Sequence, residues 1–289
     1  VNPVDSQIAI RIMERVAEDS GNVSFKATKT VIIWHPSGTN AFISNIVHKA
    51  PNLTRTEYLP SSASAYGFRT VISDGKSTWH YEPSLQVVFH MPDVSSHLTK
   101  DNDMTEGEGF NCTRDMSLIK SNYQISLVAM ENLAGRQAYV IHLEPRYLGN
   151  PSRRIWVDRE FPFILRTEKY RPDGVMSSVS FYNQIEFFPL LGDDLFQLNT
   201  PPHVEKVKLP ASGDLMPLDE LERKANFAIP MPEFVPPGYV IEGGLLSAYD
   251  AFPAAHIRLT DGLNTISYFV LPGIVRDNKG QDTVLSISD

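Results

Sequence analysis

The sequence has little cysteine and no excess of positive charge. Cys112 is the only cysteine among 289 residues, so a disulfide within the chain and a zinc site built from several cysteines are both excluded. Lysine and arginine total 26 against 34 aspartate and glutamate residues, which gives a net charge of −8. A surface that binds nucleic acid needs clustered lysine and arginine, so this charge argues against a nucleic-acid partner.

The sequence also lacks a long apolar run. No stretch approaches the roughly 18–20 consecutive apolar residues of a membrane-spanning helix, so we expect any contact with a membrane to be peripheral. The chain begins with Val1-Asn2-Pro3 and carries no secretion signal. We interpret it as a mature form or a trimmed piece from which any leader has been removed.

Length and composition indicate a globular protein with two domains. Hydrophobic residues make up 42% and charged residues 21% of the chain, which is an ordinary globular composition. The length is about twice that of a common domain. Proline and glycine become frequent near residue 200. We therefore expect a first domain over residues 1–199, a linker with a short helix over 200–233, and a small second domain over 234–289.

The spacing of apolar residues predicts one helix followed by many strands. The stripe recurs at three- and four-residue spacing, which is typical of a helix with one apolar face, and consists of Ile8, Ile12, Met13, Val16 and Ala17. From residue 23 to about residue 187 the apolar period is two, as in strands. Short turns such as Asp74-Gly75 join these strands. We expect an antiparallel meander of about ten strands, curved into a large sheet or partial barrel.

Two further stretches differ from the meander in composition or position. The polar segment from Pro92 to about Asn122 interrupts the meander. We expect a short helix within it, near Met116–Lys120. A long loop of this kind is usually functional or mobile. Alternating apolar residues return after residue 234, around an Asp261-Gly262 turn. This pattern favours a small α+β or all-β second domain.

The sequence contains no established catalytic or metal-binding motif. A His-Glu-x-x-His motif, a Gly-x-Ser-x-Gly motif, a phosphate-binding loop and a dinucleotide fingerprint are all missing. His35 and Ser37 lie in one turn, which is not a charge-relay geometry. His80 and His90 could face each other on neighbouring strands, but two imidazoles without a third ligand make a poor metal site. We expect no enzymatic activity, no cofactor and no metal.

Apolar side chains at alternate positions are the strongest candidates for a binding surface. The positions that we expect to line an apolar cavity are Phe68, Ile72, Trp79, Tyr81, Phe89, Met91, Tyr139 and Phe181. These side chains form either a packed core between sheet and helix or an open cavity for an acyl chain or a hydrophobic peptide. The same alternation satisfies both arrangements, so both stay open.

Two parts of the sequence resemble a known family. The first is Asn132–Arg146, followed by Arg153–Arg159 and Ile164–Glu168. It is similar to a block of LolA-like periplasmic proteins, especially the MucB/RseB regulators of sigma-E. The second is Phe234–Tyr239, followed by His256–Phe269, which is similar to the signature of the small C-terminal domain of those regulators. The two parts occur in the family's order, and the resemblance covers most of the chain.

The resemblance implies a fold and a function. The implied fold is α+β, with an N-terminal LolA-like antiparallel half-barrel sheet covered by helices and a small, mainly β C-terminal domain. The implied role is a periplasmic or otherwise extracytoplasmic regulator that binds the exported segment of an anti-sigma factor. An envelope lipid or lipoprotein would release that partner, which requires the ligand to favour the partner-free state. A periplasmic lipid or lipoprotein carrier is the alternative, because LolA uses the same half-barrel.

Overall fold

The computed structural model describes residues 3–60, 68–92, 116–209, 215–225, 227–249 and 252–271. Contacts between Cα atoms divide the chain into two units: Val1–Ser212 with Asp261–Asn264, and Gly213–Thr260 with Thr265–Asp289. Each unit has its own sheet and its own apolar core. Most of the expected loop between Pro92 and Asn122 lies outside the described residues, and so does Cys112.

A twelve-stranded sheet forms the framework of the first unit. Its strands are β1 (Phe25–His35), β2 (Gly38–Lys49), β3 (Leu53–Leu59), β4 (Arg69–Ser73), β5 (Ser77–Glu82), β6 (Val87–Pro92), β7 (Tyr123–Leu133), β8 (Arg136–Pro145), β9 (Ser152–Asp158), β10 (Ile164–Tyr170), β11 (Met176–Phe187) and β12 (Glu205–Lys208). Their spatial order is β12-β6-β5-β4-β3-β2-β1-β11-β10-β9-β8-β7. The expected antiparallel meander is confirmed for β1–β6 and for β7–β11.

Two helices accompany this sheet, α1 (Pro3–Asp19) and α2 (Met116–Asn122). The predicted apolar stripe of α1 is confirmed at Met13 and Val16, which are buried, whereas Ile8 is 38% exposed. None of the described helices has the length and apolar character needed to cross a bilayer.

Strand pairing decides which side chains share a face of the first sheet, because directly paired residues project to the same side. Ile141 and Ile155 are paired and pack against Met13 of α1. We call their side of the sheet the helix face. The adjacent pair, Trp156 and Arg166, projects to the opposite side, which we call the outer face.

The main core of the first unit lies between α1, α2 and the helix face. Its fully or almost fully buried members are Ala9, Met13, Val16, Ile119, Tyr123, Ile125, Ile141, Leu143, Ile155 and Val157. Burying one large apolar side chain contributes roughly 1.5–3 kcal/mol to stability. This cluster therefore fixes α1 against strands β7–β9.

A buried turn at residues 261–264 belongs to the first unit. Asp261 is fully buried, and its Oδ1 atom accepts two backbone hydrogen bonds from the same turn, at 2.9 and 2.7 Å. The hydroxyl of Tyr123 donates to Asp261 Oδ2 at 2.5 Å. Gly262 has a φ of +98°, and a Cβ atom there would lie 2.8 Å from Cγ1 of Ile119. The predicted turn is confirmed, and glycine is needed at its second position.

The second unit contains a three-stranded antiparallel sheet and one helix. The strands are β13 (Val240–Tyr249), β14 (Phe252–Thr260) and β15 (Thr265–Val270), and the helix is α3 (Leu218–Ala225). Leu221 of α3 is fully buried against Ile257 and Leu259 of β14. The chain has one unit with a large helix-covered antiparallel sheet and one small, mainly β unit, so the expected fold class is confirmed.

The segment expected to be a linker, residues 200–233, contributes to both units. Strand β12 extends the first sheet and pairs with β6 in parallel orientation. Helix α3 completes the core of the second unit. The contact-based division falls between Ser212 and Gly213, inside the expected linker.

The buried stripe of α1 leads to a stability prediction. We expect Met13→Ala to lower the free energy of unfolding by about 2–5 kcal/mol, because it removes a fully buried side chain and leaves a cavity. The control is Ile8→Ala on the exposed side of the same helix, with an expected loss below about 1 kcal/mol. All three tryptophans lie in the first unit, so tryptophan fluorescence during urea titration reports its unfolding. Equal losses for the two variants would contradict the assigned core.

Candidate functional site

The structure divides the predicted cavity residues between the two faces of the first sheet. Trp79 of β5 pairs with His90 of β6, whereas Phe89 pairs with His80. Phe89 therefore projects to the side opposite Trp79. Pairing across the whole sheet places Ile72, Trp79, Tyr81 and Phe181 on the outer face, and Phe89, Met91 and Tyr139 on the helix face. Phe68 precedes β4 and is 39% exposed.

The predicted cavity residues of β5 and β6 do not share one face, and the turn between these two strands gives the reason. Glu82 pairs with Val87, so an even number of residues, 83–86, separates the paired strand ends. Such a turn pairs odd-numbered positions of one strand with even-numbered positions of the other. The odd-numbered apolar residues of β5 therefore project to one face, and the odd-numbered apolar residues of β6 project to the opposite face. The same register places His80 and His90 on opposite faces, so the two imidazoles do not face each other.

The predicted residues also differ in burial. Ile72 is 1% exposed and belongs to the packed interior. Tyr81, Phe89, Met91, Tyr139 and Phe181 are half-buried. Trp79 lines a cavity of about 450 Å³ on the outer face. Ligand binding by these eight residues stays a prediction.

A second cavity, of about 260 Å³, opens on the helix face beside the C-terminal end of α1. Val16 of α1 and the following Ser20 and Gly21 form one side. The sheet and the approach to β10 supply Phe25, Lys29, His48, Phe163, Ile164, Leu165, Arg166, Thr167, Ser180 and Tyr182. We call it the helix-face cavity.

Aromatic rings form the apolar wall of the helix-face cavity. The ring centroid of Phe25 lies 4.8 Å from that of Phe163, 5.5 Å from that of His48 and 6.0 Å from that of Tyr182. Phe163 and Tyr182 are themselves 5.1 Å apart. Tilted and edge-to-face contacts at these distances are favourable. The wall is therefore a preformed surface that can receive an apolar group.

Two buried cations project from the helix face, and one of them, Lys29, lies beside this aromatic wall. Lys29 is 4% exposed, and its Nζ atom lies 5.7 Å from the centroid of the Tyr182 ring. Arg69 is 2% exposed, and its guanidinium carbon lies 4.1 Å above the Tyr58 ring. A positive charge attracts an anion more strongly in a partly buried site than in water. The helix face thus combines apolar surface with positive charge, which suits an amphipathic anion.

The outer face carries a charged network of a different kind. Glu168 is 4% exposed and accepts hydrogen bonds from the guanidinium of Arg166 and the hydroxyl of Tyr170. Burial, followed by the hydrogen bond to Glu168, raises the pKa of Tyr170 to about 12. The Arg166 guanidinium also lies 4.9 Å above the Trp156 ring. Arg166 and Glu168 carry opposite charges and pair with each other.

Sequence reasoning missed the residues of the helix-face cavity. Phe25 and Lys29 lie on β1, and Tyr182 lies on β11, and the pairing of these strands is non-local. One local signal was available. Lys29 occupies a position in β1 at which the alternation Phe25, Ala27, Val31 calls for a buried apolar residue. A lysine at such a position indicates a site with a special electrostatic role.

The burial of His48 leads to a prediction of pH dependence. Burial lowers the pKa of His48 below 6.5, against the opposing effect of a hydrogen bond involving the backbone of Gly21. As the pH falls, the unfolded chain therefore takes up a proton before the folded chain does. We expect the free energy of unfolding to decrease between about pH 7 and pH 5, and His48→Gln to flatten that dependence. The exposed His203→Gln serves as the control. An identical pH profile for both variants in urea titrations would exclude this role for His48.

Comparisons with known proteins agree with this architecture. Residues 69–190 match the sequence profile of the MucB/RseB N-terminal domain. The fold is similar to that of MucB, with a TM-score of 0.58 and 18% identity over 91% of this chain and 80% of that chain. The structure of MucB in complex with MucA(peri) and the Pseudomonas aeruginosa MucA/MucB complex match equally well, each covering 94% of this chain and 85% of that chain.

Similarity to other folds is lower. A LolA superfamily protein from Nitrosomonas europaea matches 66% of this chain and 97% of its own length, at 15% identity and a TM-score of 0.33. A comparison with curated protein sequences gives no significant match. The resemblance seen in the sequence is confirmed: residues 69–190 match the profile of the MucB/RseB N-terminal domain, and the chain is similar in fold to MucB.

Proposed function

We propose that this chain binds the exported segment of an anti-sigma factor outside the cytoplasm, and that an envelope lipid or lipoprotein acyl chain favours the partner-free state. The observation that carries the proposal is the similarity of fold to MucB, a protein solved in complex with MucA(peri). That similarity spans 94% of this chain, so it extends well beyond the 69–190 segment. The same similarity supports an extracytoplasmic location.

Two charged clusters of the first unit lack the composition of a catalytic site. Arg166, Glu168 and Tyr170 form one cluster, and Arg136 with the buried Asp158 forms another. Both join cations to carboxylates, whereas nucleophilic catalysis needs a nucleophile beside a base. Within the described residues, no group of three or more His, Cys, Asp or Glu side chains could hold a metal ion.

The helix-face cavity is the ligand site in this proposal. An acyl chain would lie against the rings of Phe25, Phe163 and Tyr182, and an anionic end group would lie near Lys29. Ligand binding releases the partner only if the ligand binds the partner-free state more tightly than the partner-bound state. The ratio of these two ligand affinities sets how far the population moves toward the partner-free state. The aromatic wall and the buried lysine would provide the affinity for the ligand.

A lipid or lipoprotein carrier is the second candidate. The specific observation in its favour is the helix-face cavity itself, because an apolar cavity with a buried cation serves a carrier as well as a sensor. The two candidates differ in one property. A sensor binds the exported segment of an anti-sigma factor, and a carrier does not.

Co-elution tests the regulatory role directly. We expect the chain and the exported segment of the same organism's anti-sigma factor to co-elute in size-exclusion chromatography, and added envelope lipid to separate them. A segment with the same composition in scrambled order is the control. Absence of co-elution, with or without lipid, would reject the regulatory role and leave the carrier.

A cavity-filling variant tests the ligand site. Ser180 lines the helix-face cavity, whereas Ser178 lies on the same face of the same strand away from its lining. We expect Ser180→Phe to weaken the binding of a monoacyl probe such as laurate by about tenfold or more, which is about 1.4 kcal/mol. Ser178→Phe should leave the affinity unchanged. Isothermal titration calorimetry measures both, and equal affinities for the two variants would place the ligand elsewhere.

A further inference from the structure

We propose that the outer face of the first sheet carries a second ligand site, which takes a small molecule with a planar apolar body and an anionic group, such as an aromatic carboxylate, sulfonate or phosphate. The site is the cavity of about 450 Å³ between β5, β6, β12 and residues 196–200. We call it the outer-face cavity. It lies on the opposite side of the sheet from the helix-face cavity, and the inference does not depend on the proposed function.

The floor of the outer-face cavity is a pair of stacked rings. Trp79 and His90 are directly paired across β5 and β6, and their rings lie 5.2 Å apart at an interplanar angle of 7°. Phe196 and Leu198 contribute apolar surface from the segment that crosses this face. Flat aromatic surface beside aliphatic side chains favours a ligand with a planar apolar body.

Two lysines at the edge of the sheet supply positive charge. Lys206 pairs with Val88 and Lys208 pairs with His90 in the parallel ladder between β12 and β6, so both side chains project from the outer face. They lie roughly 7 Å apart along the strand. Neither lysine forms an ion pair with any residue that the structure describes. In a chain with a net charge of −8, this pair forms a local attraction for anions.

The imidazole of His90 provides a third polar group at the site. Its Nε2 atom is buried and has no hydrogen-bond partner in the described part of the chain. A buried polar atom without a partner is unfavourable, and a ligand oxygen or N–H group in the cavity would satisfy it. Stacked rings, two lysines and this nitrogen together define a ligand with both an apolar surface and a charged polar end.

The volume of the cavity limits the size of the ligand. Sites for drug-sized molecules occupy roughly 300–1,000 Å³, and this cavity lies in the lower half of that range. A whole diacyl lipid exceeds it. Lysines on an edge strand can also serve only to prevent pairing with another sheet. That role needs neither an aromatic floor nor a buried imidazole nitrogen, and the following experiment separates the two roles.

The test uses 8-anilinonaphthalene-1-sulfonate, a fluorescent aromatic sulfonate, with the full chain in the Ser180→Phe background so that the helix-face cavity is filled. We expect saturable binding that quenches tryptophan fluorescence through Trp79. The Lys206→Gln/Lys208→Gln variant should bind the probe about tenfold more weakly, because two exposed ion pairs with the sulfonate are lost. Both positions are exposed, so the fold should be retained, which circular dichroism verifies.

A charge-matched control removes two exposed lysines away from the cavity, Lys26→Gln and Lys76→Gln, and should leave the affinity unchanged. N-phenyl-1-naphthylamine, which has the same rings without the sulfonate, should bind with an affinity that does not respond to the loss of Lys206 and Lys208. Equal sulfonate affinity in the two double variants, or no saturable binding at all, would overturn the proposal and leave the lysines as protection of the sheet edge.

Discussion

Strand β1 is hydrogen-bonded along both of its edges, to β2 on one side and to β11 on the other. This double pairing joins two meanders, β1–β6 and β7–β11, into one sheet. It brings Phe25 beside Phe187 and Lys29 beside Tyr182, although each pair is far apart in the sequence. The helix-face cavity depends on this pairing, because its walls come from both meanders. The first meander alone would leave β1 as an unprotected edge strand.

The two faces of the first sheet offer different chemistry. On the helix face, α1 packs over strands β7–β9 and leaves a cavity beside its C-terminal end. There, a buried lysine lies next to aromatic rings, and the low-dielectric surroundings strengthen its attraction for an anion. On the outer face, the cations beside the cavity are exposed lysines on an edge strand. Salt should therefore weaken anion binding more on the outer face than on the helix face.

Local features of the fold could be predicted from the sequence, and long-range ones could not. The stripe of α1 and the turn at Asp74-Gly75 depend on neighbouring residues, so periodicity and turn chemistry revealed both. The pairing of β1 with β11 depends on chain closure over more than a hundred residues, for which a single sequence carries no signal. Strand β12 has four residues and follows Pro201-Pro202, so its composition indicated a linker. The β1–β11 pairing joins the two halves of the sheet, and β12 forms one of its edges.

The residues of the candidate site could likewise be predicted where they depend on local sequence, and could not where they depend on long-range pairing. Trp79 could be predicted to line a cavity because it alternates with polar residues in a clear hairpin. The sequence could not predict that Trp79 and Phe89 lie on opposite faces, because the face of each residue depends on the number of residues in one turn. The aromatic wall around Phe25 needed the β1–β11 pairing to be known. Alternation therefore identifies candidate residues, and the register decides which of them meet.

The proposed function requires one protein to bind both a partner segment and an acyl ligand, and each of the two to weaken the binding of the other. Linkage requires the opposition to be reciprocal: if the ligand weakens partner binding by some factor, the partner weakens ligand binding by the same factor. Calorimetric titration of a monoacyl ligand into the free chain, and into the chain saturated with the exported anti-sigma segment, measures that factor. We expect weaker ligand binding in the complex, by the same factor by which the ligand weakens partner binding in the reverse titration. Equal ligand affinity in the two titrations would contradict it.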